Sequence, residues 1–373
     1  MKHIVVLGGG RVGAAMAKDL APDFRVTVAD LNPGTLTALQ AAGLGVRRAD
    51  LSSSDAVKEA VADADIVVGA VPGFMGFRTM RAVLEARKDI VDISFYEEDP
   101  FELDALATAN GCIALMDCGI APGCGNIILG DLEKRLDSVQ SWECLVGGLP
   151  VVRTWPYEYK AGFSPIDVIE EYTRPSRYVV NGELVTMPAL SEPELIDFPG
   201  VGTLESFNTD GLRSLIKTSK APNRKEKTLR FPGHIEKMRM LRETGFLSKT
   251  PIHVGGQPVV PLELTCALLF PHWQMKPGEA DFTIMRVTVE GTEKGKPMRF
   301  TYHLLDRYDP VSGETSMART TGYTCTAVVR AVAAGLYTRK GISPPEYLGE
   351  AGCWGFIRAE LAKRNVVFSE IQG

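Results

Sequence analysis

Two sets of residues in this chain have the types and spacing to do chemistry. The first is Gly8-Gly-Gly10-Arg-Val-Gly13, a G-x-G-x-x-G run between the apolar stretch His3–Leu7 and the helix-forming Ala14–Leu20. Asp30 closes the next apolar run, roughly twenty residues on. Gly8 permits a tight turn, Gly10 lets backbone approach a pyrophosphate, and Gly13 lets a helix pack closely on the strand. With Arg11 and Val12, they open a helix whose N-terminal N–H groups and positive dipole end suit phosphate. Asp30 stands where a carboxylate accepts from the adenosine ribose. It would repel a 2′-phosphate, and Leu31-Asn32-Pro33 brings no arginine to offset it. The expected cofactor is NAD in preference to NADP, and Arg47 and Arg48 at the end of the next strand keep the second choice open.

The second set is Tyr159, Lys160, Arg230 and His234. An imidazole is a base near neutral pH, and a lysine enclosed beside other charges has its pKa lowered towards neutrality. His234 and Lys160 are therefore rival proton acceptors. Arg230 suits a substrate carboxylate, because a guanidinium forks onto two oxygens, and Tyr159 would orient the same group. Further candidates sit at strand ends: Asp92, Ser94, Tyr96 and Asp117 near a nicotinamide ribose or a cationic amine, and Asp50, Val71 and Pro72 along the cofactor. Thr209 and Asp210 read as a turn capping a following helix.

The elements that must position these groups follow a βα rhythm. Apolar strands at 3–7, 25–29, 45–49, 65–71, 89–93 and 112–116 alternate with helices at 14–20, 35–42, 54–62, 78–86 and 101–110. Strands apolar throughout mean a parallel sheet covered on both faces, a doubly wound Rossmann fold with its ligand beyond the strand C-terminal ends. After about Leu129 the segments 142–146, 177–180, 282–289 and 298–305 alternate instead, as in an open-faced, largely antiparallel sheet of a second α+β domain. The apolar run 324–336 reads as a buried helix returning to the first domain, and the polar stretch Lys217–Lys227 as a mobile surface loop. The expected fold class is thus α/β. Its expected parts are a dinucleotide-binding domain at 1–125, a substrate, catalytic and dimerisation domain at 126–322, and returning helices at 323–373.

Composition bounds the partners. A net charge of −5 with no dense Lys/Arg block argues against nucleic acid or an anionic membrane. No apolar run reaches the ~20 residues of a membrane span, and the N-terminus lacks a signal peptide's layout. A cytoplasmic enzyme is expected, acting on a small molecule. Cys112, Cys118 and Cys124 match no zinc-ligand spacing, so no metal is expected. A sheet with an uncovered face or edge makes a homodimer the expected assembly.

The motifs Asp117-Cys-Gly-Ile-Ala-Pro-Gly123, Tyr159-Lys160, Phe163-Ser-Pro165, Glu205–Leu212, Lys227–His234 and Ala318–Tyr323 resemble, in that order, those of the saccharopine dehydrogenase-like superfamily. Within it the sequence is most similar to the L-lysine 6-dehydrogenase branch. The resemblance implies NAD(P)-linked oxidation of a C–N bond. For that branch, L-lysine loses its ε-amino group to give allysine, which cyclises to piperideine-6-carboxylate with release of ammonia and NADH. The alternative is reductive condensation of an amine with a carbonyl, as in saccharopine reductases, carboxynorspermidine dehydrogenases or homospermidine synthases. Cys124 departs from the family pattern, which has another small or apolar residue there. Two basic anchors would mark a condensation substrate and one would mark lysine, with Lys160 and Arg174 as possible additions to Arg230.

Overall fold

The computed structural model describes residues 1–373. They form two compact units: Met1–Leu136 with Ala318–Phe368, and Asp137–Met317 with Ser369–Gly373.

The first unit opens as β1 (His3–Leu7), α1 (Arg11–Leu20), β2 (Arg25–Asp30), α2 (Pro33–Ala41), β3 (Gly45–Arg48), α3 (Ser54–Val61), β4 (Ile66–Gly69), α4 (Gly73–Glu85), β5 (Asp89–Asp92), α5 (Asp104–Ala109), β6 (Ile113–Leu115) and α6 (Cys124–Arg135). The strands pair in parallel in the order β6-β5-β4-β1-β2-β3. β1 and β4 are buried along their whole length, because helices cover both faces of such a sheet. Local signals start the helices: the Asn32 side chain accepts from Gly34 and Thr35 N–H before α2, and Ser53 caps α3. α6 belongs to this unit rather than to the substrate domain expected from residue 126 onward. Its Gly130 lies so close to the Glu346 carbonyl that a Cβ would overlap it, and Asn126 donates to the Glu346 carboxylate (3.2 Å).

The second unit runs through β7 (Ser138–Pro150), α7 (Pro165–Thr173), β8 (Ser176–Val180), β9 (Glu183–Met187), β10 (Glu194–Phe198), β11 (Gly202–Asn208), α8 (Leu215–Thr218), β12 (Asn223–Arg230), α9 (His234–Glu243), the hairpin β13 (Ile252–Val254) and β14 (Gln257–Val259), α10 (Pro261–Trp273), β15 (Asp281–Glu293) and β16 (Lys296–Arg307). Its main sheet is mixed but mostly antiparallel, with β12 and β7 the parallel pair. Three sequence expectations are corrected here. Lys217–Lys227 is no mobile loop: it ends in β12, between β11 and β7, where Arg224, Glu226 and Lys227 are buried. Arg224 donates to the Ser219 and Ala221 carbonyls (2.6 Å each) and Lys227 pairs with Glu194 (3.3 Å), partners that composition does not reveal. Asp210 caps no helix; it takes the Arg177 guanidinium as a two-oxygen fork (2.8 Å each). Nor does β15 present an open face, since Asp281–Met285 and Val287–Val289 are all buried.

The chain then passes through α11 (Ser316–Ala333), β17 (Gly341–Ser343), α12 (Glu346–Glu350), α13 (Trp354–Ala362) and β18 (Phe368–Gln372). β17 adds in parallel beside β6, making seven strands in the first sheet, and β18 joins the second sheet at β16. α11 begins earlier than its apolar run, because the Asp281 carboxylate accepts from Ser316 and Met317 N–H (2.6 and 3.1 Å). Within the first unit Arg330 of α11 holds Asp19 and Asp23 (2.8 Å each). No helix is long and apolar enough to cross a membrane.

Candidate active site

In the first unit the glycine turn is built as its spacing requires. Gly8 has φ +105°, and a Cβ there would sit 2.5 Å from the Ala70 carbonyl. A Cβ on Gly13 would overlap the Gly8 carbonyl, so α1 closes onto the turn only because no side chain intervenes. Gly10 is different. Its φ of −61° is open to any residue, and a Cβ would meet nothing within 4 Å. Neither conformation nor packing asks for glycine there, whereas close approach of a ligand does. Gly10 is also the N-cap of α1 and offers no side-chain acceptor, and the first turn holds no acid. The N-cap and first turn of α1 thus contribute no side-chain acceptor or acid of their own, which suits a pyrophosphate site. Asp30 ends β2 and accepts from Gly9 N–H (2.6 Å) and Asn32 N–H (2.8 Å), which fixes the carboxylate under the turn. The residues present fit a dinucleotide.

The other candidates of this unit divide. Arg11 is exposed at the first position of α1, with the half-buried Val12 behind it; Pro72 is exposed and Val71 buried after β4. Asp50 accepts from the Ser52 N–H and hydroxyl (3.0 and 2.6 Å), which lowers its pKa and shapes the entry to α3. Asp92 is fully buried beneath Gly69 and accepts from Ser94 N–H and Oγ (3.1 and 3.0 Å), so the pair ties down the loop after β5. Asp117 is buried with φ +52°. Tyr96 lies in the core, edge-on to Phe77, with its hydroxyl 3.6 Å from the Met80 sulfur. Cys124 is buried against Thr324 (3.3 Å), and burial pushes its thiol up to about 12, so it is no ready nucleophile.

In the second unit β12 delivers Arg230, α9 begins at His234, and α7 supplies Glu171 and Tyr172. Arg230 Nε donates to the Tyr172 hydroxyl (3.0 Å), one terminal nitrogen to the Glu171 carboxylate (2.7 Å) and the other to the Leu229 carbonyl (3.0 Å). A guanidinium has five N–H groups, so two remain on a side chain only 3% exposed. The Tyr159 ring lies 4.5 Å beneath the guanidinium. His234 Nε2 is 3.0 Å from the Tyr172 hydroxyl and Nδ1 2.8 Å from the Tyr157 carbonyl. The Trp273 ring stands edge-on to Tyr159 and Tyr172, and its buried indole N–H has no hydrogen-bond partner. Lys160 lies apart from this cluster's hydrogen bonds, on the Gln274 carbonyl (3.2 Å) and Glu279 (3.5 Å), and Arg174 pairs with Glu170 (3.8 Å). Sequence reasoning found Tyr159, Arg230 and His234 but missed Glu171, Tyr172 and Trp273. The only local cue was their place on α7 and α10, flanking the Phe163-Ser-Pro165 motif and the Gln274 contact.

Burial, reinforced by the Arg230 charge, pushes His234 down from about 6.5 to about 3. The unfolded chain thus binds the extra proton between those values, and stability falls as pH drops through that window, by up to about 1.4 kcal/mol per pH unit. Urea denaturation from pH 7 to pH 4 should show this acid slope, and His234→Gln should flatten it. Burial likewise pushes Glu171 up, against the pull of Arg230, and Tyr172 to about 12.

The likeness to known proteins sets the class: an NAD(P)-dependent oxidoreductase acting on C–N bonds. Residues 4–115 match the saccharopine dehydrogenase NADP binding domain, and residues 116–367 the saccharopine dehydrogenase C-terminal domain. The chain belongs to the saccharopine dehydrogenase family. It is 23% identical to the saccharopine dehydrogenase [NADP(+), L-glutamate-forming] of Schizosaccharomyces pombe, over 99% of both chains. With the carboxyaminopropylagmatine dehydrogenase of Synechocystis it shares 24%, over 83% of this chain and 82% of that one. The apo saccharopine dehydrogenase (L-Glu forming) of Saccharomyces cerevisiae has the same fold, at a TM-score of 0.81, 19% identity and full coverage of both chains. These relatives favour the saccharopine side of the family over the lysine 6-dehydrogenase branch expected from the motifs.

Proposed function

We propose that the chain is an NAD(P)-linked dehydrogenase of a secondary amine built from an amino acid and a carbonyl compound, with saccharopine or a similar molecule as substrate. The observation that supports it is the family match in both units, from residue 4 to residue 367. In the cleaving direction the carbon beside nitrogen gives up hydride, nitrogen loses a proton, and water adds to the imine, so that the C–N bond breaks into an amine and an aldehyde. The cofactor supplies the hydride acceptor, or the donor in the condensing direction. Gly8–Gly13 and Asp30 hold it, with Asp50, Val71, Pro72 and Ser94 along its length. Arg230 takes a substrate carboxylate on its two unspent N–H groups, over Tyr159. Lys160, Asp92 and Asp117 complete the proposed set, in a homodimer; Tyr96, packed in the core against Phe77 and Met80, drops out of it. NAD is the favoured form: Asp30 disfavours a 2′-phosphate, and Arg47 is committed to the Ala60 carbonyl and Asp63.

One observation favours a second reading, deamination of L-lysine at the ε-carbon. Among the three cations considered as anchors, Lys160 and Arg174 are engaged with Glu279 and Glu170, and Arg230 keeps two donors for a single carboxylate. One assay separates the two. Purified protein is given NAD or NADP with saccharopine, and separately with L-lysine, and reduced cofactor, glutamate and ammonia are counted. Reduced cofactor matched by glutamate supports the proposal, and reduced cofactor matched by ammonia replaces it with lysine deamination. No reduction with either substrate, despite cofactor binding, overturns both.

A further inference from the structure

We propose that His234 is a positioning residue, its proton on Nδ1, which fixes Arg230 through Tyr172 and does not accept the proton of the reaction. The argument is one of donors and acceptors. The Tyr157 carbonyl can only accept, so the 2.8 Å contact places a proton on Nδ1 of His234. Nε2 then carries the lone pair. Arg230 Nε–H can only donate to the Tyr172 oxygen at 3.0 Å, which leaves the Tyr172 proton for Nε2 at 3.0 Å. The chain runs one way, Arg230 to Tyr172 to His234 to the Tyr157 carbonyl, and each heavy atom in it has one assignment. Neither ring nitrogen is left for a substrate proton. Because the Tyr172 hydroxyl is oriented by His234, the Nε edge of Arg230 is held and its terminal N–H groups are presented.

The surroundings oppose a charged imidazole. The charged and titratable groups beside it are Arg230 from β12, Tyr172 and Glu171 from α7, Tyr159 from the preceding loop, and Lys237 from its own helix; α10 presents the uncharged Trp273 ring to the same tyrosines. Glu171 is spent on Arg230, so the two cations dominate.

The inference deepens the proposed function, and only its kinetic arm rests on that reading. The first test is nitrogen NMR of protein labelled at histidine, with His234→Gln used for assignment. His234 is expected as the neutral Nδ1–H form across roughly pH 5 to 9. Titration between about pH 6 and 7, or the Nε2–H form, would overturn the proposal whether or not the enzyme turns over saccharopine. In the kinetic arm, Tyr172→Phe and His234→Phe should each raise KM for the carboxylate substrate about tenfold, with a smaller fall in kcat. The acid limb of the pH profile should stay in place. His234→Gln, whose Oε1 still accepts from Tyr172, should recover most of the affinity lost in His234→Phe. An acid limb that vanishes in His234→Gln alone would make His234 the base. If His234→Phe does not fold, Tyr172→Phe carries the same prediction.

Discussion

Replacing Arg230 by methionine is expected to raise KM for a carboxylate substrate by roughly 30-fold or more, and to destabilise the second unit as well. The kinetic effect follows from losing a buried, charge-assisted fork, for which truncation costs about 2–5 kcal/mol. The stability effect has a separate cause. Glu171 lies 2.7 Å from Arg230 and is half-buried; without the guanidinium its carboxylate has lost its counter-charge, a penalty below the about 3–5 kcal/mol of a fully buried pair. Burial already holds the Glu171 carboxyl up, and removing Arg230 pushes it higher. The native variant then binds a proton that the unfolded chain releases above its ordinary value near 4.5, so stability falls as pH rises through and beyond that point. Arg230→Met should therefore melt at a lower temperature at pH 8 than at pH 5.5. The double variant Arg230→Met with Glu171→Gln should recover much of the stability and none of the substrate affinity. Equal melting of the two variants would mean that Glu171 is not held by Arg230.

The second large effect is on the cofactor, and two glycines separate its causes. Gly13→Val places side-chain atoms where the Gly8 carbonyl lies, so α1 must withdraw from the turn. Overpacking of this kind costs about 1–3 kcal/mol. Withdrawal also removes backbone N–H groups from the pyrophosphate, each such charged hydrogen bond being worth about 1.5–3 kcal/mol. NAD affinity measured by calorimetry should drop at least tenfold, with a clear fall in melting temperature. Gly10→Ala should lose affinity while its melting temperature without cofactor stays close to that of the parent chain. A Cβ there meets nothing of the protein within 4 Å, only a ligand lying close to the backbone. If Gly10→Ala binds NAD normally, the pyrophosphate does not lie against this turn.

The sequence by itself determined six strands of the nucleotide-binding unit and its glycine turn, but neither the seventh strand, β17, nor the place of α6. The G-x-G-x-x-G turn, the acid ending β2 and the apolar strands are all signals between residues a few positions apart. Local geometry is what a linear pattern records. It also singled out Arg230 and His234 by residue type, without the strand and helix, β12 and α9, that carry them. Only the tertiary structure decided what those two residues meet. Arg230 meets Tyr172 and Glu171 from 58 and 59 residues away, and His234 meets the Tyr157 carbonyl from 77 away. The same cause misplaced the end of Lys217–Lys227: charge suggested solvent, while pairing of β12 between β11 and β7 buries it, with Lys227 on Glu194 from 33 residues away. A polar side chain's environment is set by partners that the fold brings together, and those partners decide whether a histidine is a base or a strut.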